Sequence, residues 1–173
     1  MQISGGVQLS GGVNLAPGGG GTPTPSYVFQ GSNFGYSSGG LAASEPYYTN
    51  VIQKFSFTSD ANATDVGDLT NGLAYASGQS SSSNGYSSGG INPANSPIRT
   101  STIDKFPFSS DDNATDVGDL TQPRNASAGH SSGISGYTSG GYDTSPVSTI
   151  DKFPVASDGN ANDIGDLTRT VIW

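Results

Sequence analysis

The chain has no cysteine, one histidine, one tryptophan and only six basic residues in 173. Without cysteine there is no disulfide and no thiolate metal site, and nothing from which a redox compartment can be read. Fourteen acidic residues against six scattered Lys and Arg leave a net charge of −8. That balance argues against nucleic acid or an anionic membrane as partner, since both call for clustered cations. Leu, Ile, Val and Phe together number 32, below the level of roughly 20% at which disorder becomes a live reading. The modest net charge weakens that reading, because disorder of this kind rests on self-repulsion as well as on a thin core. No stretch is apolar enough for long enough to cross a bilayer. The N-terminus has neither a basic region nor an apolar run, so it does not read as a secretory signal. No window combines helically spaced apolar residues with helix formers between them.

Repetition is what the chain does have. Lys54–Thr70 (KFSFTSDANATDVGDLT), Lys105–Thr121 (KFPFSSDDNATDVGDLT) and Lys152–Thr168 (KFPVASDGNANDIGDLT) share 11 of 17 positions in all three copies. A second motif travels with them: GYSSGG at Gly35–Gly40 and Gly85–Gly90, and GYTSGG at Gly136–Gly141. The GYxSGG motifs recur after 50 and 51 residues and the KF motifs after 51 and 47. A period near 50, in a chain rich in Gly, Ser, Thr, Asn and Asp, predicts an all-β fold. It predicts three propeller-blade-like repeats of three or four short strands each.

Residues 1–15 read as an extended arm. Ile3, Val7, Leu9, Val13 and Leu15 all fall on odd positions, hence on one face of a strand. Such a strand buries its stripe only by adding to another chain or subunit, so these five residues are the expected assembly and anchoring set; the alternative is a frayed terminus that stays unordered. Residues 16–26, with four consecutive Gly followed by Pro23 and Pro25, read as a linker, and residues 27–173 as the three-repeat domain. Within the STIDKFPF strand, Thr102, Asp104, Phe106 and Phe108 share one face, and Ile103 and Lys105 the other. Two partly apolar faces are expected of a sheet stacked between two others. Pro107 and Pro154 predict an edge or bulged strand, since proline cannot donate to a ladder. The apolar tail Thr168–Trp173 predicts a last strand with a buried Trp173.

Several residues invite chemistry. Asp60, Asn62, Thr64, Asp65 and Asp68 offer closely spaced oxygens, repeated at Asp111, Asn113, Thr115, Asp116 and Asp119. Calcium takes six to eight such ligands, yet the glycine and distal glutamate of an EF-hand loop are absent. Asp and Asn capping their own backbone in a turn is the favoured reading, so no metal is assigned. His130 stands unrepeated among loop serines and reads as solvent-exposed rather than as one member of a Ser–His–Asp triad. Triplicated acids reflect triplicated structure more simply than a glycosidase pair. No catalytic residue and no cofactor is therefore expected. Lys54, Lys105 and Lys152 predict ion pairs within each unit, with Arg124 and Arg169 in similar roles. Tyr36, Tyr86 and Tyr137 read as strand packing. Tyr47 and Tyr48, after Pro46, are the candidates for recognition, since tyrosine among small polar residues suits an adaptable contact surface.

The order Gly-Gly, variable loop, T-I-D-K-F strand and D-L-T resembles a degenerate kelch-type repeat, without the tryptophan expected in the fourth strand. More closely, the pairing of GYxSGG with IDKFPFxSDxNATDVGDLT over residues 27–168 resembles repeats of structural proteins of tailed bacteriophages, notably those of cyanobacteria, described as tail fibres. The resemblance implies a virion component without enzymatic activity. The expectation is a fibre or fibre-like appendage, a homo-oligomer joined to other virion proteins through the arm and contacting a host-surface glycan. The alternative is a decoration or cement protein of the phage head. A glycan-active enzyme is the least favoured reading.

Overall fold

Short strands with glycine and serine between the apolar positions cannot form a core within one sheet, so apolar side chains must be buried between sheets. The computed structural model describes residues 33–45, 47–94 and 98–173 and contains strands but no helix among them. The expected arm at 1–15 (Ile3, Val7, Leu9, Val13 and Leu15) and the linker at 16–26 lie outside the described residues.

Three antiparallel meanders follow one another. The first sheet has β1 (Phe34–Leu41), β2 (Tyr48–Ser56) and β3 (Thr64–Asp68). The second has β4 (Ser77–Ser80), β5 (Asn84–Ser88), β6 (Thr102–Pro107) and β7 (Thr115–Asp119). The third has β8 (Ala128–Ser131), β9 (Ser135–Ser139), β10 (Thr149–Pro154) and β11 (Asn162–Asp166). The all-β class and the blade-like repeats expected from the sequence are thus present.

The two sequence motifs are cross-strand partners. Gly35 lies opposite Phe55, Gly85 opposite Phe106 and Gly136 opposite Phe153. In each pair the phenyl ring folds over the glycine, and a Cβ there would lie 2.2–2.3 Å from the ring's Cζ, well inside contact distance. The first glycine of GYxSGG is therefore the floor on which the KF phenylalanine lies. The first residue of the Gly-Gly pair does something different. Gly39, Gly89 and Gly140 hold φ of 66°, 67° and 65°, a left-handed conformation that favours glycine. There the chain leaves β1, β5 or β9, and the following amide bonds back to its own unit or the loop after it, as Gly40 N–H does to Leu73 O and Gly90 N–H to Arg124 O.

Alternation then sends each strand's side chains to two neighbours. Ile52, Leu69, Phe106 and Ala114 form the core between sheets one and two, with Tyr36, Val66 and Phe108 against them. Tyr86, Ile103, Leu120, Phe153 and Ala161 form the core between sheets two and three, with Val117 and Val155 against them. Asp104 and Phe106 thus face backwards and Ile103 forwards, the division anticipated from the strand period. Burying Phe106 or Phe153 contributes about 1.5–3 kcal/mol each.

Of the two alternatives for the proline strands, edge or bulged, the bulge holds and the edge does not. β6 pairs with both β5 and β7, and β10 with both β9 and β11, and the register shifts between Thr102 and Asp104 in β6 and between Thr149 and Asp151 in β10. Each proline is the last residue of its strand. Phe108 N–H still bonds Ser83 O on the β5 side. Because successive amides alternate sides, position 107 faces the β7 side, beyond the last pair there, Lys105 with Thr115. No ladder bond is lost. The expectation for the tail fails: residues 169–173 are not a strand, and Trp173 is 70% exposed. Its amide bonds Ala126 O, and no sheet among the described residues covers the ring.

The glycine floor makes a testable asymmetry. Phe106 is wedged between sheets, whereas Phe55 is 40% exposed on the outer face of the first sheet. Gly85→Ala should lower stability by about 1–3 kcal/mol, the usual cost of overpacking. Gly35→Ala should cost clearly less, because the Phe55 ring can swing into solvent. Urea unfolding of the two variants measures the difference.

Candidate functional site

The repeated polar segments supply the obvious candidates, and the geometry assigns most of their oxygens. Asp65, Asp116 and Asp163 each accept the amide two residues on, from Gly67, Gly118 and Gly165, at 3.2, 3.1 and 2.9 Å. These aspartates cap their own backbone, as expected, but inside β3, β7 and β11, where the register with the neighbouring strand shifts, and not in a turn. Asn113 Oδ1 accepts Asp68 N–H at 2.9 Å, and Asn160 Oδ1 accepts Asp119 N–H at 3.0 Å. Asp119 and Asp166 accept the hydroxyls of Ser101 and Ser148, both at 2.7 Å. Among the described residues no three His, Cys, Asp or Glu side chains converge as a cation site.

The lysines correct an expectation. Lys54 pairs with Asp111 and Lys105 with Asp158, so each lysine reaches the next unit and not its own. The sheets stack so that the end of one KF strand lies against the following unit's Asp-rich turn. The bond to Asp111 holds the Lys54 ammonium above its usual range, and Lys54 also lies 5.2 Å from the Phe34 ring centre.

A second joint is buried. Asp104 is 1% exposed and accepts Thr70 N–H at 2.9 Å and Thr70 Oγ1–H at 2.8 Å. Asp151, fully buried, accepts Thr121 N–H at 2.9 Å and Thr121 Oγ1–H at 2.7 Å. The T of each GDLT therefore caps the D of the next unit's IDKF. The second joint carries in addition Arg124, fully buried beside Asp151, whose Nη1 donates to Thr149 O at 3.1 Å. Burial lowers the Arg124 guanidinium from its usual value, opposed by Asp151. The equivalent residue at the first joint is Leu73. Sequence reasoning gave Arg124 an ion pair within its own unit; it pairs instead with Asp151 of the next unit, and no local signal marks it as buried.

The remaining candidates do not come together. His130 is exposed; its Nε2 lies 3.1 Å from Ser139 Oγ, and Ser139 is buried at 4% exposure, so that hydroxyl offers no approach to a substrate. Tyr47 is 51% exposed just before β2, and Tyr48 begins β2, half-buried opposite Leu41. Tyr36 stacks on Phe108 at 4.8 Å between ring centres, and Tyr86 packs on Phe153 at 5.4 Å. Burial pushes both phenols above their ordinary values, so they stay neutral. A groove of about 290 Å³ opens between the first two sheets, lined by Tyr36, Phe57, Gln79, Tyr86, Phe106 and Phe108 among others. It lies beside β1, whose outer edge has no paired strand among the described residues, whereas β5 and β9 are covered by β4 and β8.

Two measurements check this assignment. If the acidic segments are self-capped, chelator and millimolar calcium should leave the melting temperature unchanged. Burial raises the Asp104 carboxyl above its usual value, opposed by the Thr70 hydrogen bonds and aided by Asp116. The folded chain then holds this proton more tightly than the unfolded one. The associated stability is full below the unfolded pKa and is lost as pH rises through the raised folded value. Asp104→Asn keeps an oxygen for Thr70 N–H and removes the buried charge. It should be at least as stable as wild type at about pH 7, with the gap closing toward about pH 4, near the unperturbed Asp value. Asp104→Leu orphans the Thr70 amide and should cost about 1–3 kcal/mol. No protein-family model matches this chain, and no curated protein is similar to it in sequence.

Proposed function

We propose that this protein is a non-enzymatic structural component of a tailed-bacteriophage virion, a fibre or fibre-like appendage. Its repeat body is displayed, and residues 1–15 anchor it to other virion proteins. One observation supports the structural half of this reading: at both joints one repeated threonine, asparagine, lysine and aspartate set joins a sheet to the next. Thr70 and Thr121 hold Asp104 and Asp151, Asn113 and Asn160 hold the amides of Asp68 and Asp119, and Lys54 and Lys105 hold Asp111 and Asp158. Repetition of these residues therefore serves stacking. The virion assignment rests on the resemblance of the GYxSGG and IDKFPF repeats to those of phage structural proteins. Host contact falls to residues outside the repeated set, with the exposed Tyr47 as the leading candidate.

Removal of residues 1–15 tests the anchor. The truncated chain should keep the melting profile of the full chain and fail to enter particles. Particles that take up the truncated protein at the normal level would remove the arm from the proposal. Copy number per particle separates a fibre from a head-decoration protein: few copies at the tail are expected, and hundreds on the head would overturn the fibre reading.

A further inference from the structure

The two internal joints share a residue-by-residue pattern, and each end of the stack displays one half of it. At the first joint Tyr36, Lys54 and Val66 face forwards onto Phe106, Phe108, Asp111 and Asn113. At the second, Tyr86, Lys105 and Val117 face Phe153, Val155, Asp158 and Asn160. The forward face of the third sheet carries the same set in the same places: Tyr137, Lys152 and Ile164. The backward face of the first sheet carries the complementary set: Phe55, Phe57, Asp60 and Asn62. Phe55, Phe57 and Ile164 are 40%, 53% and 52% exposed, although their counterparts are packed within the joints. Among the described residues Lys152 and Asp60 have no ion-pair partner, although the matching lysines and aspartates of both joints do.

We infer that copies of this chain associate head to tail, the third sheet of one copy seating on the first sheet of the next. Tyr137 of one copy lies against Phe57 of its neighbour, and Lys152 pairs with the neighbour's Asp60. The occupant is a second copy because the chain already contains two examples of the same contact, and the lysine and aspartate left over have opposite charge. The contact is heterologous, since different patches meet. One position departs from the pattern. Gln53 stands where the other units bury Asp104 and Asp151, and it is exposed. Its amide oxygen can still accept an N–H from Thr168, and a neutral amide can pass between water and an interface without the desolvation cost of a carboxylate. Two copies supply six sheets, within the range of four to eight at which blades close into a propeller. The contact requires no virion partner and stands or falls apart from the function proposed above.

Sedimentation of the full chain over a range of concentrations tests self-association. Wild type should form dimers or larger species. Phe57→Asp and Ile164→Asp alter one exposed end face each, so both should keep the wild-type circular dichroism spectrum and each alone should sediment as a monomer. An equimolar mixture of the two should yield a 1:1 complex, because the intact forward face of the first variant meets the intact backward face of the second. Lys152→Asp should weaken association, and combining it with Asp60→Lys should restore it. A wild type that stays monomeric overturns the inference. So does a single end-face variant that associates as wild type does, or a mixture that forms no complex.

Discussion

A carboxylate buried between two sheets is tolerable only if the neighbouring sheet brings donors to it, and that condition sets how the units of this protein stack. Asp104 and Asp151 project backwards from the central strand of their sheets into the joint, where each meets the amide and hydroxyl of one threonine from the preceding unit. A shift of one residue would strand a buried charge without donors, a penalty of several kcal/mol even after relaxation. The apolar contacts around it are less discriminating. Phe106 and Phe153 would gain from burial against many surfaces, but the Asp–Thr pair accepts one register. Hydrophobic burial thus supplies most of the attraction between sheets, and the polar pair supplies the alignment.

The two joints solve the same problem differently. At the first, Asp104 relies on Thr70 alone, and burial raises its pKa. At the second, Arg124 lies beside Asp151 as a buried counter-charge where the first joint has Leu73. A buried ion pair is weak evidence for added stability, because desolvating both partners offsets much of their attraction. The contribution of Arg124 lies more in the backbone carbonyls it reaches, Thr149 O and Gly140 O, which tie the loop after the second unit's last strand to the third sheet. The second joint also contains a hydroxyl–amide network, with Gln79 Nε2 donating to Ser88 Oγ and Thr138 Oγ1, both at 2.9 Å. The joint between sheets two and three is accordingly the more polar and the more specific of the pair.

For function, the arrangement separates what repeats from what varies. Repeated residues face the interior of the stack or its two ends, while the segments between copies lie at the rim. The rim carries Tyr47, Tyr75 and Trp173, each more than half exposed, and these differ from unit to unit in sequence. A body of this kind can change its contacts with other molecules by changing loops without disturbing the joints.

Much of the fold was legible from local sequence. The period of about 50 residues marked the units, and strand alternation divided Asp104 and Phe106 from Ile103 and Lys105. The closely spaced Asp and Asn residues suggested caps on their own backbone, and Asp65, Asp116 and Asp163 make them, though within strands and not in turns. Each of these depends on conformations within a few residues, which local sequence determines by sterics and short-range hydrogen bonding. Only the tertiary structure decided the partners. Lys54 looks equally able to meet an aspartate of its own unit, and stacking takes it 57 residues along the chain to Asp111 instead. The central position of β6 and β10, the burial of Arg124 and the exposure of Trp173 were likewise settled by which sheet lies against which. The offset between stacked sheets is a property of two surfaces fitted together, and no single stretch of sequence encodes it. The same distinction applies to the end faces: sequence says that Tyr137, Lys152 and Ile164 repeat a pattern, and only the fold shows that no sheet among the described residues lies against it.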